Sequence, residues 1–260
     1  RLEQIDRYLR EHMRRADGLY YASQKDTVEG MTKLNIDAYY ALPDAQRRAH
    51  GIPTIDHSTF TDLNARIVEG YVRAFEATTE KHFLVTAITT ATTLTAKRRT
   101  KAGWYLQLKP DAELDQDKRT HVLRFDERPY LRTQAYTGRA LLALYQASAD
   151  PQWLEHARQI ATAMREHLED RKLGGFFAAS ADGTETVIAR RKPLEDNAVA
   201  AQFLYLLGVA IKDEKLKLLA EKTLRATALP NVMRREGRVT GNLAMALELV
   251  SAGYVEFSVV

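Results

Sequence analysis

"LLALYQASADPQWLEHARQIATAM", residues 141–164, spells out two helices and the turn that joins them. Asp150-Pro151 marks the turn. The aspartate caps the helix that follows, and proline takes the first helical position, where a missing N–H loses no hydrogen bond. Beyond it Trp153, Leu154, Ala157, Ile160, Ala161, Met164 and Leu168 fall on one face at helical spacing, with Glu155, Arg158, Arg165 and Glu166 on the other. Before it Tyr136, Leu141, Leu142, Leu144 and Tyr145 make a helix apolar on nearly every side, and such a helix is buried all round. The stretch therefore predicts a buried inner helix covered by an amphipathic outer one.

The same hairpin occurs twice more, as "YVRAFEATTEKHFLVTAITTATTL" (71–94) and "LYLLGVAIKDEKLKLLAEKTLRAT" (204–227). Glu80, Asp150 and Asp213 align, and so do Ala87, Ala157 and Ala220, at spacings of 70 and then 63 residues. A repeat of this length holding two helices predicts an array of helical hairpins. Inner helices this apolar argue for closure around a centre rather than an open solenoid. The expected fold is all-α, an incomplete (α/α)6 barrel or toroid forming one domain over residues 1–260. Short β-hairpins are expected in its loops at one end, within 100–127 and 174–191, with a cut-off strand at 254–260. Those loops share a Gly-aromatic-aromatic element, Gly103-Trp104-Tyr105 and Gly175-Phe176-Phe177, and Gly18 with Tyr20-Tyr21 is a third instance.

The chain of 260 residues has 45% apolar and 28% charged residues and a net charge of +4. Its basic residues are interleaved with acids, so no nucleic-acid stripe is expected. No apolar run reaches the roughly 18 residues of a membrane span. There is no cysteine, which excludes disulfides, thiol catalysis and Cys-ligated zinc within these residues. The histidines lack metal-ligand spacing, and no cofactor motif is present. The sequence leaves the compartment open, with the cytoplasm slightly favoured, because a cysteine-free domain is stable in any redox setting. The first residue is not methionine, and a longer protein is expected.

A polar cluster precedes each inner helix: Thr61-Asp62-Leu63-Asn64, Thr133-Gln134-Ala135-Tyr136 and Glu195-Asp196-Asn197. If the inner helices run in one direction, these clusters share one rim. One reading is local capping, for which Asp62 and Asp196 are suited. The other is a polar pocket. There Asp62, Glu195 and Asp196 would supply the two carboxyl groups of glycoside chemistry. Asn64, Gln134, Asn197, Tyr136 and His57 would bind substrate, and Trp104 and Tyr105 would form a stacking wall.

"ADGLYYASQKD … YYALPDAQRRAHGIPTID … FTDLNARI" and "LYQASADPQWLEHARQIATAM … GGFF … RRKPLEDNAVAAQFL" resemble the thioredoxin-domain-containing family that includes spermatogenesis-associated protein 20. The resemblance runs through nearly the whole chain, in order. It implies a thioredoxin-like domain elsewhere in the full-length protein and, here, a barrel similar to N-acylglucosamine 2-epimerases and six-hairpin glycosidases. It implies carbohydrate chemistry, with a sugar or glycan as ligand. The family's Asp-Trp-Asn element matches Asp62-Leu63-Asn64 without its tryptophan, and an acidic pair is replaced by Arg132-Thr133. Its Glu-Asp/Gly-Asn-Ala element is kept as Glu195-Asp196-Asn197-Ala198. No histidine pair matches the acid and base of epimerases. A non-catalytic binding or scaffold barrel beside a redox domain is the alternative.

Overall fold

The computed structural model describes residues 1–28, 36–108, 127–181, 190–237 and 240–252. Three hairpins follow one another: α4 (Thr61–Thr78) with α5 (Lys81–Arg98), α6 (Leu131–Ser148) with α7 (Pro151–His167), and α8 (Leu194–Ala210) with α9 (Glu214–Thr227). Helix α11 (Gly241–Ala252) stands beside α8 as a further inner helix. Before them come α1 (Leu2–Tyr8) with a π turn (Leu9–Met13), β1 (Ser23–Val28), α2 (Ile36–Ala41), α3 (Asp44–His50) and β2 (Pro53–Asp56). The short α10 (Pro230–Glu236) links α9 to α11.

Helices α4, α6, α8 and α11 pack side by side in that order, and α5, α7 and α9 each lie behind their own partner. Equivalent positions of neighbouring inner helices touch near both their starts and their middles: Arg132 reaches Asp196, and Arg139 reaches both Glu69 and Gln202. Only parallel neighbours can do this. The molecule is thus an arc of an α/α toroid, inner helices in one direction and outer helices behind. Ala87, Ala157 and Ala220 are all fully buried, small residues where each outer helix meets its inner partner. Trp153, Phe83, Leu144, Phe203 and Leu204 are buried in the core.

The hairpin turns repeat as faithfully as the helices. Thr79, Ala149 and Lys212 each take a left-handed conformation, with φ of 61°, 55° and 55°. The N–H of Thr79 closes on the Phe75 carbonyl at 2.7 Å, and that of Ala149 on Tyr145 at 2.8 Å. Asp150 accepts from the Gln152 N–H and Asp213 from the Lys215 N–H, capping α7 and α9. Glu80 makes no such bond.

One expectation falls largely outside the described residues, and another is corrected. A two-stranded antiparallel sheet does form, but between β1 and β2, with Ser23 opposite Asp56 and Gln24 opposite Ile55. The expected hairpins at 100–127 and 174–191 show only isolated bridges, Arg99 to Tyr105, Glu169 to Phe176 and Tyr130 to Ala179, in their described residues. The rest of both, and the strand expected at 254–260, lie outside the described residues. The inner helices are also not apolar all round: Arg66 is exposed, and Glu69, Arg73 and Arg139 line the concave side of the arc.

Candidate functional site

The three amides of the rim clusters do one job. Each holds a loop. The Asn64 carbonyl accepts from the Tyr20 N–H at 2.7 Å, and its amide donates to the Tyr20 carbonyl at 3.0 Å. Gln134 treats Tyr105 the same way, at 2.8 and 2.7 Å, and Asn197 treats Phe176 so, at 2.7 and 3.0 Å. A side-chain amide pairs here with a backbone amide as a neighbouring strand would, satisfying both groups of a buried residue. The Tyr105 and Phe176 loops follow the outer helices α5 and α7, the Tyr20 loop follows α1 and its π turn, and each turns at a glycine of positive φ: Gly103 (90°), Gly174 (80°) and Gly18 (89°).

This corrects the expected roles of several residues. Asn64, Gln134 and Asn197 are wholly buried and engaged with backbone, so they offer no free bond to a substrate. Tyr105 is fully buried, its hydroxyl 2.9 Å from Thr95 and its ionisation pushed up to about 12 by burial, so it has no open face for stacking. Trp104 meets His167 of the outer layer edge-on, ring centres 4.9 Å apart. Phe176 takes the place of Tyr105, so the aromatic loops align one residue away from the register read in the sequence. His57 is exposed and rests against the Tyr21 ring, centres 4.6 Å apart. Capping is corrected too: the N-cap residues of α4 and α8 are Phe60 and Pro193, and Asp62 and Asp196 lie inside the first turns.

The acids gather elsewhere. Glu195 and Asp196 line a cleft of about 410 Å³ at the rim, together with Gln107, Tyr130, Arg132, Ala178, Arg191 and Glu236. Arg132 donates through Nε to Asp196 at 3.1 Å. Asp62 is buried just behind, accepting from the Gln107 amide at 2.8 Å, while Thr133 donates to the Gln107 carbonyl oxygen. Burial pushes the Asp196 carboxyl above its usual range. Arg132 pulls it down, and the charges of Asp62 and Glu195 push it up again. Asp62 of α4 and Glu195 of α8 thus both act on Asp196, which Arg132 holds. Tyr136 donates to Glu195 at 3.3 Å, and the Arg66 guanidinium lies 4.0 Å from the centre of its ring.

A second hollow, of about 480 Å³, lies farther along the concave side and is crossed by a polar belt that sequence reading missed. Arg139 donates to Glu69 at 3.0 Å, to Gln202 at 2.8 Å and to Asn242 at 3.3 Å. Gln202 donates on to the Asn242 carbonyl at 2.7 Å, and the Asn242 side chain donates to Glu195, joining belt to rim. The signal was available: Glu69, Arg139 and Gln202 each stand five residues after a loop-holding amide. Among the described residues no group of three or more acids, histidines or cysteines is placed to hold a metal ion, and no helix is long and apolar enough to cross a membrane.

No protein-family model and no curated protein matches this sequence. Solved structures match the fold. Cellobiose 2-epimerase from Spirochaeta thermophila superposes with a TM-score of 0.64 at 14% identity, over 95% of this chain and 61% of that one. D-mannose isomerase does so with 0.62 at 21% identity, over 86% and 53%. An α-mannanase of glycoside hydrolase family 76 from Bacteroides thetaiotaomicron gives 0.55 at 19%, over 67% and 46%. The chain spans about half the length of such structures. The likeness lies in architecture: parallel inner helices backed by outer ones, the α/α toroid of six-hairpin glycosidase-like and epimerase-like enzymes.

Proposed function

We propose that the rim cleft binds a sugar or glycan and that Asp196 is its proton donor, with Glu195 or Asp62 as the second carboxylate. The opening of Glu195 and Asp196 on one cleft, with Asp62 buried just behind it, carries the reading. Glycoside chemistry needs one carboxyl that keeps its proton and one that does not. The surroundings of Asp196 favour the protonated form, and Glu195 opens on the same cleft. Toroid relatives that act on sugars support the substrate class.

Turnover on a panel of neutral and acidic oligosaccharides tests it. Asp196→Asn should lower turnover about 10²–10⁴-fold, as loss of a general acid does, while leaving binding largely intact. Turnover that survives both Asp196→Asn and Glu195→Gln unchanged would remove these acids from the chemistry.

One observation favours the second reading, a non-catalytic barrel serving a thioredoxin-like domain of the full-length chain. Arg132, where the resembling family has an acid, is ion-paired to Asp196. Saccharide binding with no turnover by the wild type would support that reading over the first.

A further inference from the structure

One chain of hydrogen bonds runs from the middle of the concave side to the acids of the rim. It starts at Arg139 of α6, which is paired with Glu69 of α4 at 2.9 Å. An arginine can only donate. Its Nη1 donates to Oε1 of Gln202 at 2.8 Å and to Oδ1 of Asn242 at 3.3 Å, so both amides turn their oxygens toward the guanidinium. Their NH2 groups are thereby aimed away from it. That of Gln202 meets the backbone carbonyl of Asn242 at 2.7 Å and ties the start of α11 to α8. That of Asn242 meets Glu195.

The chain ends on one oxygen. Asn242 and Tyr136 both donate to Oε1 of Glu195, and among the described residues no group bonds Oε2. Glu195 lines the rim cleft, so one of its oxygens is anchored while the other keeps its lone pairs for what enters. Asp62 is placed differently. It is buried behind the cleft, does not line it, and accepts from the Gln107 amide.

We propose that Asn242 is a positioning residue, aimed by Arg139, that fixes Glu195 as the second carboxylate of the rim cleft. This rests on the sugar reading above and chooses Glu195 over Asp62. A glutamate side chain has several free torsions, and a reacting group must be held within a narrow geometry to be effective. Anchoring Oε1 holds Oε2 in place without occupying it.

Turnover of the saccharide panel tests this, with kcat and KM read separately. Asn242→Ala should lower kcat about 10–100-fold, the worth of one hydrogen bond to a charged group, and move KM by less than about threefold. Asn242→Asp keeps the size and the bond from Arg139 but offers Glu195 an acceptor. It should therefore cost at least as much, whereas a side chain that merely filled space would tolerate it better. In a Glu195→Gln background Asn242→Ala should add less than about twofold, because the carboxylate it positions is gone. Asp62→Asn should cost less than Glu195→Gln. Circular dichroism checks the fold of each variant.

Losses that multiply in the double variant, or Asn242→Asp turnover equal to that of the wild type, would overturn the positioning role and leave the sugar reading standing. A larger loss for Asp62→Asn than for Glu195→Gln would overturn the choice of carboxylate. If the wild type turned over nothing on the panel, the catalytic reading and this one would fall together.

Discussion

Replacing Asn197 by leucine separates a loop-holding amide from a substrate-binding one. Asn197 is fully buried and makes three bonds: it accepts from the Phe176 N–H and donates to the carbonyls of Phe176 and Pro193. Leucine has nearly the same size and none of these. The Pro193 carbonyl keeps a partner, because the Asn197 backbone N–H also reaches it at 3.1 Å. The N–H and C=O of Phe176 have no other partner among the described residues, and Phe176 is itself wholly buried. A buried polar group left unmatched costs about 1–3 kcal/mol, so two cost about 2–6 kcal/mol. At about 2–4 °C per kcal/mol for a chain of this size, melting should fall by roughly 10 °C. Chemical denaturation gives the free energy, and hydrogen exchange at the Phe176 amide gives the cause, since its protection should collapse before that of α8. Gln146→Leu is the control: that amide lies exposed on the concave side, and its replacement should change stability by less than about 0.5 kcal/mol. A loss under about 1 kcal/mol for Asn197→Leu, with Phe176 still protected, would refute the loop-holding role and return the amide to the list of ligand contacts.

Two further outcomes follow from packing and charge. At Gly138 of α6 an added Cβ would lie 2.5 Å from the Phe203 ring, so Gly138→Ala should lose stability despite the roughly 1 kcal/mol that alanine gains in a helix. Gly70→Ala, where a Cβ meets nothing within 4 Å, should gain about 0.5–1 kcal/mol in the same denaturation assay. Asp196 binds its proton more tightly folded than unfolded. Its contribution to stability is therefore full below the unfolded carboxyl value of about 4 and is lost as pH rises through the folded value. Asp196→Asn should flatten that fall in a pH series of unfolding curves, and an unchanged slope would deny the raised value.

Much of the fold was legible because its signals are local. Asp150-Pro151 marks one turn, and the 70- and 63-residue spacings carry it to Glu80 and Asp213 and on to the left-handed Thr79, Ala149 and Lys212. The aromatic loops were misaligned by one because the third turn carries an extra residue before its glycine: the Gly174 N–H reaches back to Asp170, where those of Gly18 and Gly103 reach Arg15 and Thr100. The β1–β2 pair escaped because "SQKDTV" has no apolar alternation and a single apolar residue, Val28. The rim acids were legible as a group, but the amides between them were given the wrong partners. Gln107 and the belt of Glu69, Arg139 and Gln202 left only scattered polar letters, indistinguishable one at a time from a solvated surface.

The helix itself explains why amides and acids separate. Successive residues turn by about 100°, so positions two before, two after, five after and nine after a given residue all fall about 140–200° away from it. With Asn64 as origin these are Asp62, Arg66, Glu69 and Arg73. With Gln134 they are Arg132, Tyr136, Arg139 and Ala143, and with Asn197 they are Glu195, Val199, Gln202 and Leu206. Each amide faces the loop behind it, and its set therefore faces the concave side, where Glu69, Arg73, Arg139, Ala143, Gln202 and Leu206 line the hollow. Asp196 stands one step from its amide, about 100° round, turned neither to the loop nor to the centre but toward the neighbouring inner helix, where it finds Arg132. Fixing the loops with amides on one side leaves the other side of the same helical turns free to carry charge. Residues on that side can thus change without loosening the rim that holds them.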